Sequence, residues 1–174
     1  MSGAPEFSRP VKLVRIGSEP YRQQIAASDA ERTALARRFD LVSLDRLDAV
    51  VELVRESDRL ILLRADFEAA FEQSCIVTLD PIAGAIAERF TLAYGPAEAE
   101  ETAAAIVGDD VAFEPIAGDT VDIGEAVAQE FSLALPPFPR SPDANVETEV
   151  PSHDDSSPFA ALSRLLDRNE RETC

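Results

Sequence analysis

The chain has 174 residues, with 33 acidic and 16 basic side chains and a formal net charge of −17 at pH 7. This length suits one domain, and 45% apolar residues are enough to bury a core, which argues against a wholly disordered chain. The charge argues against a general nucleic-acid binder, because such proteins neutralise phosphates with clustered Lys and Arg. It also argues against docking on an anionic membrane surface, and we expect no DNA partner.

The negative charge is concentrated in the second half of the chain. Residues 1–89 carry 12 basic and 15 acidic side chains, whereas residues 90–157 carry one basic and 15 acidic ones. Residues 1–46 carry eight basic against six acidic groups and form a basic N-terminal segment. An ordinary solvated surface is the favoured interpretation of this segment, and an RNA-contacting patch is the alternative. The candidate RNA-contacting residues are Arg9, Lys12, Arg15, Arg37 and Arg38.

The sequence predicts neither a signal peptide nor a membrane span. Residues 1–10 lack an apolar signal core, and the apolar run Leu60–Leu63 is far shorter than the roughly 20 residues that a span needs. Cys75 and Cys174 offer no disulfide framework. We therefore expect a cytoplasmic protein with reduced thiols and no membrane partner.

The first forty residues predict two strands and a helix. Val11–Ile16 is a β-rich run, and Tyr21–Ala26 is a weaker strand candidate. Ser28 and Glu31 have the spacing of a capping box, in which each side chain accepts from the other residue's backbone N–H. The helix that follows is predicted to end near Phe39.

Alternation with a period of two then predicts three long strands. Asp48–Glu56 and Arg59–Phe71 flank a turn at residues 57–58, and Ile82–Tyr94 resumes the alternation after a connection. One face of these strands is apolar and the other is charged. This pattern is typical of an antiparallel sheet that covers a single core.

The periodicity fails between Gly95 and Asp119. Acidic residues lie there among Ala, Gly and Pro, which predicts a mobile acidic loop over residues 95–119. Asp122 then has the position of an N-cap, and Pro136 ends the helix that follows. The apolar stripe of this helix consists of Ile123, Val127, Phe131 and Leu135.

The predicted fold is α+β, with an antiparallel sheet of about four to five strands, two packed helices and a short detached C-terminal helix. Residues 1–138 are predicted to form a single domain. Residues 139–157 are predicted to be an acidic flexible linker, and residues 158–174 a short C-terminal helix. That helix either folds back on the domain or binds the groove of a partner.

Patterns for catalysis and metal binding are weak. His153 lies in the polar linker, where no rigid frame would hold a Ser–His–Asp set, and no glycine-rich phosphate loop is present. Asp109 and Asp110 lack the spacing of a calcium loop, and Cys75 has too few soft partners for zinc. We expect no catalytic residue, metal or cofactor, and we expect Cys75 to be a small buried apolar residue.

Four segments of the chain, in order, resemble those of one family. They are Phe7–Val14, the run Cys75-Ile-Val-Thr78-Leu79-Asp-Pro81 with Glu88-x-Phe90 after it, Val121–Pro136, and Pro158–Leu162. The second is similar to C-x-x-C-L-x-P, the third to D-L-G-E…E…L-x-L-P and the fourth to N-P-F-x-x-L, all of the YceD family of large ribosomal RNA subunit accumulation proteins. The family-motif positions, with structural or partner-binding roles, are Cys75, Thr78, Leu79, Pro81, Asp122, Gly124, Glu130, Leu135, Pro136, Phe159 and Leu162.

The chain departs from the family pattern in its cysteines. Many members have a second cysteine where this chain has Thr78, and a further pair near the positions of Ser141 and Asn145. If those four cysteines bind a metal elsewhere in the family, this chain, which keeps only Cys75, should not. Such a cysteine-poor version resembles the alphaproteobacterial branch of the family.

The resemblance implies a non-enzymatic role in making the large ribosomal subunit, through accumulation or processing of its rRNA. The acidic second half suits a basic ribosomal or ribosome-assembly protein as partner. The alternative is direct rRNA binding through the basic N-terminal segment. An enzyme acting on RNA ranks third, because no acid–base pair or metal set is visible. The sequence leaves the oligomeric state open.

Overall fold

A computed structural model describes residues 5–108, 111–116 and 118–145 of the chain. The helices and strands alternate irregularly along it, with two single-turn 3-10 segments at Leu13–Arg15 and Ala97–Ala99. The elements in chain order are β1 (Pro10–Lys12), β2 (Tyr21–Ala26), α1 (Asp29–Arg38), β3 (Ser43–Ser57), β4 (Leu60–Ser74), β5 (Pro81–Gly95), α2 (Glu100–Val107), β6 (Ala112–Pro115), β7 (Thr120–Asp122) and α3 (Ile123–Ala134).

The main sheet has five strands in the order β2-β3-β4-β5-β6, and β1 pairs with β7 in a separate two-stranded ribbon. The predicted α+β class is confirmed. The prediction of a wholly antiparallel sheet was wrong, because β6 pairs parallel to β5 after the chain crosses back through α2. Three α-helices are present among the described residues, one more than the two packed helices that the sequence predicts.

The predicted alternation of the long strands places the core on one face of the sheet. In β4, Ala65, Phe67 and Ala69 are buried, whereas Arg64, Asp66 and Glu68 are exposed between them. On the charged face, ion pairs connect neighbouring strands; for example, Arg89 of β5 pairs with Asp66 of β4 at an N–O distance of 2.6 Å.

Helix α3 is fixed on the core face by its aromatic residue. The ring of Phe131 makes edge-to-face contacts with Phe39, Phe67 and Phe71, at centroid distances of 5.9, 6.5 and 5.7 Å. These contacts join α3 to β4 and to the end of α1. They also set the position of the segment that follows α3.

The predicted strand Val11–Ile16 is shorter than expected, since β1 ends at Lys12 and a 3-10 turn follows. The Arg55 guanidinium donates to the backbone oxygens of Leu13 and Ile16, at 2.9 and 2.8 Å. This side chain thus satisfies carbonyls that a continuing strand would have paired with a neighbour, which is a tertiary contact that local β propensity does not reveal.

The prediction of an irregular loop over residues 95–119 was wrong, because this segment contains α2 and β6. Ala103 of α2 is buried against Leu60, Leu62 and Ala93, on the face of the sheet opposite the main core. The segment therefore buries a second, small apolar cluster, and that burial offsets the cost of ordering it.

Contacts group residues 1–144 into one compact unit and residues 145–174 into a second, of which the structure describes only Asn145. The linker beyond residue 145 and the C-terminal helix, with Phe159 and Leu162, lie outside the described residues, so their predicted boundaries stay predictions. No helix within the described ranges has the length and apolar character needed to cross a membrane.

Candidate partner-binding surface

Two of the family-like segments meet at one end of the sheet. The turn between β4 and β5 is closed by the Cys75 N–H, which donates to the Asp80 carbonyl at 2.8 Å. The segment after α3 crosses this turn, where the Ile76 N–H donates to the Pro139 carbonyl at 2.9 Å. The Gln73 amide also donates to the Pro136 carbonyl at 3.3 Å. The motif positions 75–81 and 135–136 therefore belong to one surface.

Cys75 lies at the centre of this junction, and its burial agrees with the prediction. Its Sγ accepts hydrogen bonds from the backbone N–H groups of Ser141 and Thr78, at 3.4 and 3.5 Å. These bonds, with Ser141 the largest cause, lower the pKa of the thiol to about 6, although burial opposes the shift. The structure thus brings Thr78 and Ser141, which the family resemblance set against further cysteines, into contact with Cys75.

The backbone conformation of Leu79 allows the turn between β4 and β5 to close. Its φ of 63° is in the left-handed region, and its N–H donates to the Cys75 carbonyl at 2.9 Å. The Leu79 side chain is 76% exposed. Among the residues that the structure describes, no group of three or more His, Cys, Asp or Glu side chains could hold a metal ion.

A groove of about 640 Å³ lies beside this junction, between the loop after α1, the end of β4 and the segment after α3. It is here called the apolar groove because nine of its thirteen lining residues are apolar, although polar atoms form nearly half of its surface. Several large apolar side chains around it are exposed, including Ile76 at 51%, Leu133 at 78% and, on the same crossing segment, Phe138 at 76%. Exposed apolar side chains grouped in this way are typical of interaction sites. The groove is lined by Phe39, Asp40, Leu41, Val42, Gln73, Ser74, Ile76, Ser132, Leu133, Leu135, Pro136, Pro137 and Pro139.

The motif residues at the start of α3 have a structural role. The Asp122 carboxylate accepts from the N–H groups of Gly124 and Glu125, at 3.1 and 3.2 Å, and so caps the helix as predicted. It also accepts from the Ser8 hydroxyl and, at 2.7 Å, from the Arg9 N–H. A single carboxylate therefore joins the N-terminal segment to α3.

Two of the five candidate RNA-contacting residues are engaged within the protein. The Arg9 guanidinium donates to both oxygens of Glu31, at 2.6 and 3.0 Å, and it lowers the pKa of that carboxyl to about 2. The Arg38 guanidinium pairs with Glu125 at 2.7 Å and with Glu6 at 3.0 Å. The other three are exposed and form no ion pair with any residue that the structure describes; they are Lys12, Arg15 and Arg37.

Glu130 of α3 lies near two further carboxylates at the outer edge of the sheet, Glu88 of β5 and Glu114 of β6, and the three are here called the acidic cluster. Glu114 lies opposite Tyr94, six residues along β5 from Glu88, so Glu130 lies between the other two. Burial, and then the charges of Glu114 and Glu88, raise the pKa of Glu130. Beside them, burial followed by the charge of Glu114 raises the pKa of Tyr94. The motif position of Glu130 was the sequence signal for this cluster, but the contribution of β6 could not be foreseen while residues 95–119 were predicted to be a loop.

These features describe an α+β protein with an exposed apolar groove at one end of its sheet and an acidic cluster at the edge. The model of the family described as "Large ribosomal RNA subunit accumulation protein YceD" matches residues 63–166. The match spans more than half of the chain, so the chain belongs to the YceD family and the resemblance is confirmed. No curated protein and no solved structure matches it.

Proposed function

We propose that this protein is a non-enzymatic factor in large ribosomal subunit biogenesis, which supports accumulation of large-subunit rRNA by binding a basic ribosomal or ribosome-assembly protein. Family membership supports the biological process in this proposal, because the family description names accumulation of the large ribosomal RNA subunit. The mode of action is inferred from the surface of this chain.

The observation that carries the proposal is the apolar groove. It is built largely from segments within the family match, with residues 39–42 outside that match. Leu133 in its lining and Phe138 on the crossing segment are exposed at nearly four-fifths of their surface. Covering such side chains contributes about 25 cal/mol for each Å² of apolar area removed from water. RNA, with its charged backbone, is a poor cover for an apolar groove, whereas an apolar segment of a protein is a good one.

Charge favours a basic protein as the occupant. The only charged side chain lining the described groove is that of Asp40, and residues 90–157 carry 14 more negative than positive charges. A basic partner would be attracted to this surface and oriented by it, and the attraction would weaken with salt. Ribosomal proteins, which bind RNA, meet this requirement for positive charge.

Direct rRNA contact remains the second candidate, because Lys12, Arg15 and Arg37 are exposed. If these residues bind phosphates, the triple substitution Lys12→Gln, Arg15→Gln and Arg37→Gln should weaken binding of a large-subunit rRNA fragment. It should also reduce the slope of log affinity against log salt concentration by about 2 to 3. A wild-type protein that binds no rRNA fragment at low salt would eliminate this candidate.

The protein-contact proposal is tested in cells that lack the gene. Wild-type protein should restore the ratio of large-subunit to small-subunit rRNA, and a Leu133→Ser, Phe138→Ser double variant should not. Val14→Ser is the matched control, because Val14 is 86% exposed but lies outside the groove lining. Both variants should retain the wild-type circular dichroism spectrum. Full restoration by the double variant would contradict the proposal.

A further inference from the structure

Among the residues that the structure describes, none pairs with the outer edge of β5 along most of its length. Strand β6 pairs only with Leu92–Gly95, whereas β4 pairs with the whole of β5 from Pro81 to Tyr94. Within the described ranges no strand lies beside residues 81–91 on the side away from β4. One side of this stretch of backbone is therefore without a strand partner.

The hydrogen-bond pattern shows which backbone groups face outward. The Cys75 N–H donates to the Asp80 carbonyl, and hydrogen-bonded and non-bonded pairs alternate along an antiparallel pair. Even-numbered residues of β5 therefore bond to β4, and odd-numbered residues direct their N–H and C=O outward. The contact of Gly95 is consistent with this alternation, because its carbonyl accepts a hydrogen bond from the Ile116 N–H on the β6 side at 2.8 Å. Ala83, Ala85 and Ala87 thus present donors and acceptors to the open edge.

Proteins usually prevent strand addition at an edge with β-bulges, charged side chains or internal prolines. Residues 82–87 of β5 have none of these features, and the charged side chains of the edge begin at Glu88 and Arg89. The β4–β5 register runs without a shift, and the only proline of β5 is its first residue, Pro81. The residues at 83, 84, 85 and 87 are Ala or Gly, so no bulky side chain screens the backbone there.

The acidic cluster defines what kind of strand would fit. Glu88 lies on the open stretch, Glu114 lies on β6 at the end of that stretch, and Glu130 lies on α3. Burial, and then the charges of Glu114 and Glu88, raise the pKa of Glu130, so a cation placed beside Glu130 and either neighbour would be favoured. Ile86 and Phe90, which are half-buried on the same face of β5, offer apolar contacts beside the cluster.

We propose that residues 83–91 of β5 bind an extended basic segment of a partner protein as an added strand. Backbone hydrogen bonds to the odd-numbered residues would supply affinity, and Lys or Arg side chains among Glu88, Glu114 and Glu130 would supply specificity. The inference rests on the proposed function, because it gives the basic partner a second point of attachment besides the apolar groove.

The test uses the full-length protein and a synthetic nine-residue peptide that alternates Lys and Val, with blocked termini. Its binding is measured by fluorescence anisotropy at moderate salt. A second peptide of the same sequence, with every backbone nitrogen methylated, keeps the charge but cannot pair as a strand. We expect the unmethylated peptide to bind about tenfold or more tightly than the methylated one. Equal affinities would overturn the proposal.

Two pairs of variants locate the site. Ala85→Pro removes an outward N–H without removing a bond to β4, and it should weaken peptide binding about tenfold. Ala85→Val, which keeps that N–H, should bind as wild type does. Glu88→Gln with Glu130→Gln should also weaken binding, whereas Glu19→Gln, in the exposed segment before β2, should not. An Ala85→Pro protein that is folded and binds as wild type does would overturn the proposal.

Other occupants have distinct signatures, and each would overturn the proposal. If a second copy fills the edge, sedimentation would show a wild-type dimer that Ala85→Pro converts to a monomer. If RNA fills it, a single-stranded oligonucleotide would bind to wild type, compete with the peptide and lose affinity in Ala85→Pro. A monomer that prefers the peptide supports the proposal.

The cellular assay separates this inference from the proposed function. In cells lacking the gene, failure of wild-type protein to restore the large-subunit rRNA ratio would contradict the proposed function itself. Restoration by wild type and equally by Ala85→Pro would leave that function standing and contradict the strand-addition inference alone. We expect wild type and Ala85→Val to restore the ratio and Ala85→Pro to do so only in part.

Discussion

Gly124 shows how a motif position can be required by backbone geometry. A Cβ at this residue would lie 2.3 Å from the Phe7 carbonyl oxygen and 3.1 Å from the Arg9 backbone nitrogen. The N-terminal segment therefore crosses the first turn of α3 at a distance that only glycine permits. Beside it, Asp122 joins the same segment to the helix N-terminus.

We predict that Gly124→Ala destabilises the protein by about 2–4 kcal/mol, because the added methyl group meets backbone that cannot move aside cheaply. Gly17→Ala is the control, since nothing lies within 4 Å of its added Cβ. Chemical denaturation of both variants checks this. Equal unfolding midpoints would show that the close crossing over α3 is not a constraint.

The Arg9–Glu31 pair predicts a stability that depends on pH. The pKa of Glu31 falls from 4.5 to about 2 in the folded protein, mainly because of the Arg9 hydrogen bonds. The stabilisation is therefore present above pH 4.5 and is lost as the pH falls towards 2. Arg9→Met should cost about 1–2 kcal/mol at pH 7 and progressively less below pH 4. Urea unfolding at several pH values measures this, with Arg37→Met as the control; a cost independent of pH would contradict it.

For Glu130 we predict a pH dependence of stability opposite to that of Glu31. Burial and the neighbouring carboxylates raise its pKa, so its contribution to stability is greatest at low pH and is lost as the pH rises through the folded value. Glu130→Gln should therefore raise the melting temperature at pH 7, with a smaller gain at pH 4. Thermal unfolding followed by circular dichroism checks this. A lower melting temperature at pH 7 would mean that the carboxylate has a stabilising partner.

At the scale of elements, the long strands were predictable because each has one wet face and one buried face. The predicted strands at residues 48–56 and 82–94 lie within β3 and β5, and the strand predicted at 59–71 begins one residue before β4. The pattern did not show the full length of any of the three. The capping box of α1 is also present, with Ser28 and Glu31 in both predicted roles. Sequence patterns were therefore sufficient to predict those elements whose structure depends on neighbouring residues in the chain.

Helix α2 was missed because its apolar residues are mostly alanines, whose burial depends on what covers them. A signal was nevertheless present in β4, where Leu60, Ile61, Leu62 and Leu63 form an unbroken apolar run. Such a run is typical of a strand covered on both faces. Leu62 and Ala93 lie on the face opposite the main core, and α2 supplies their cover through Ala103.

The role of α2 gives a matched pair of substitutions on one helix. Ala103→Glu places a charge in the second apolar cluster and should destabilise the protein by about 2–4 kcal/mol. Ala105→Glu makes the same change at an exposed position of α2 and should cost less than about 0.5 kcal/mol. Denaturant unfolding distinguishes them. Equal small costs would show that α2 does not cover this face in solution.

At the scale of the whole molecule, the net charge of −17 does not show which charges are paired within the fold and which are not. Five arginines of the basic N-terminal segment form ion pairs with acidic neighbours inside the fold; they are Arg9, Arg22, Arg32, Arg38 and Arg46. The acidic cluster and the acidic second half are the groups that would attract the basic partner that we propose. Sequence alone could place the charges along the chain. It could not show which were paired, because the partners are separated by up to 87 residues.

The candidate site could be predicted only in part for the same reason. The motif positions around Cys75 and Pro136 were identified from the sequence, but their meeting depends on Phe131 anchoring α3 to the sheet. The groove joins residues 39–42 to residues 73–76 and 132–139, which are distant in sequence, so no local pattern encodes it. The open edge of β5 depends on where the short strand β6 pairs, which the sequence did not show.

The central claim is that the protein acts through contact with a basic protein rather than through RNA. The most direct test is the ratio of large-subunit to small-subunit rRNA in cells that lack the gene and carry one of two variants. One is the groove variant Leu133→Ser, Phe138→Ser, and the other is the triple variant Lys12→Gln, Arg15→Gln, Arg37→Gln. We predict that the triple variant restores the ratio and the groove variant does not. Restoration by the groove variant together with failure of the triple variant would contradict the claim.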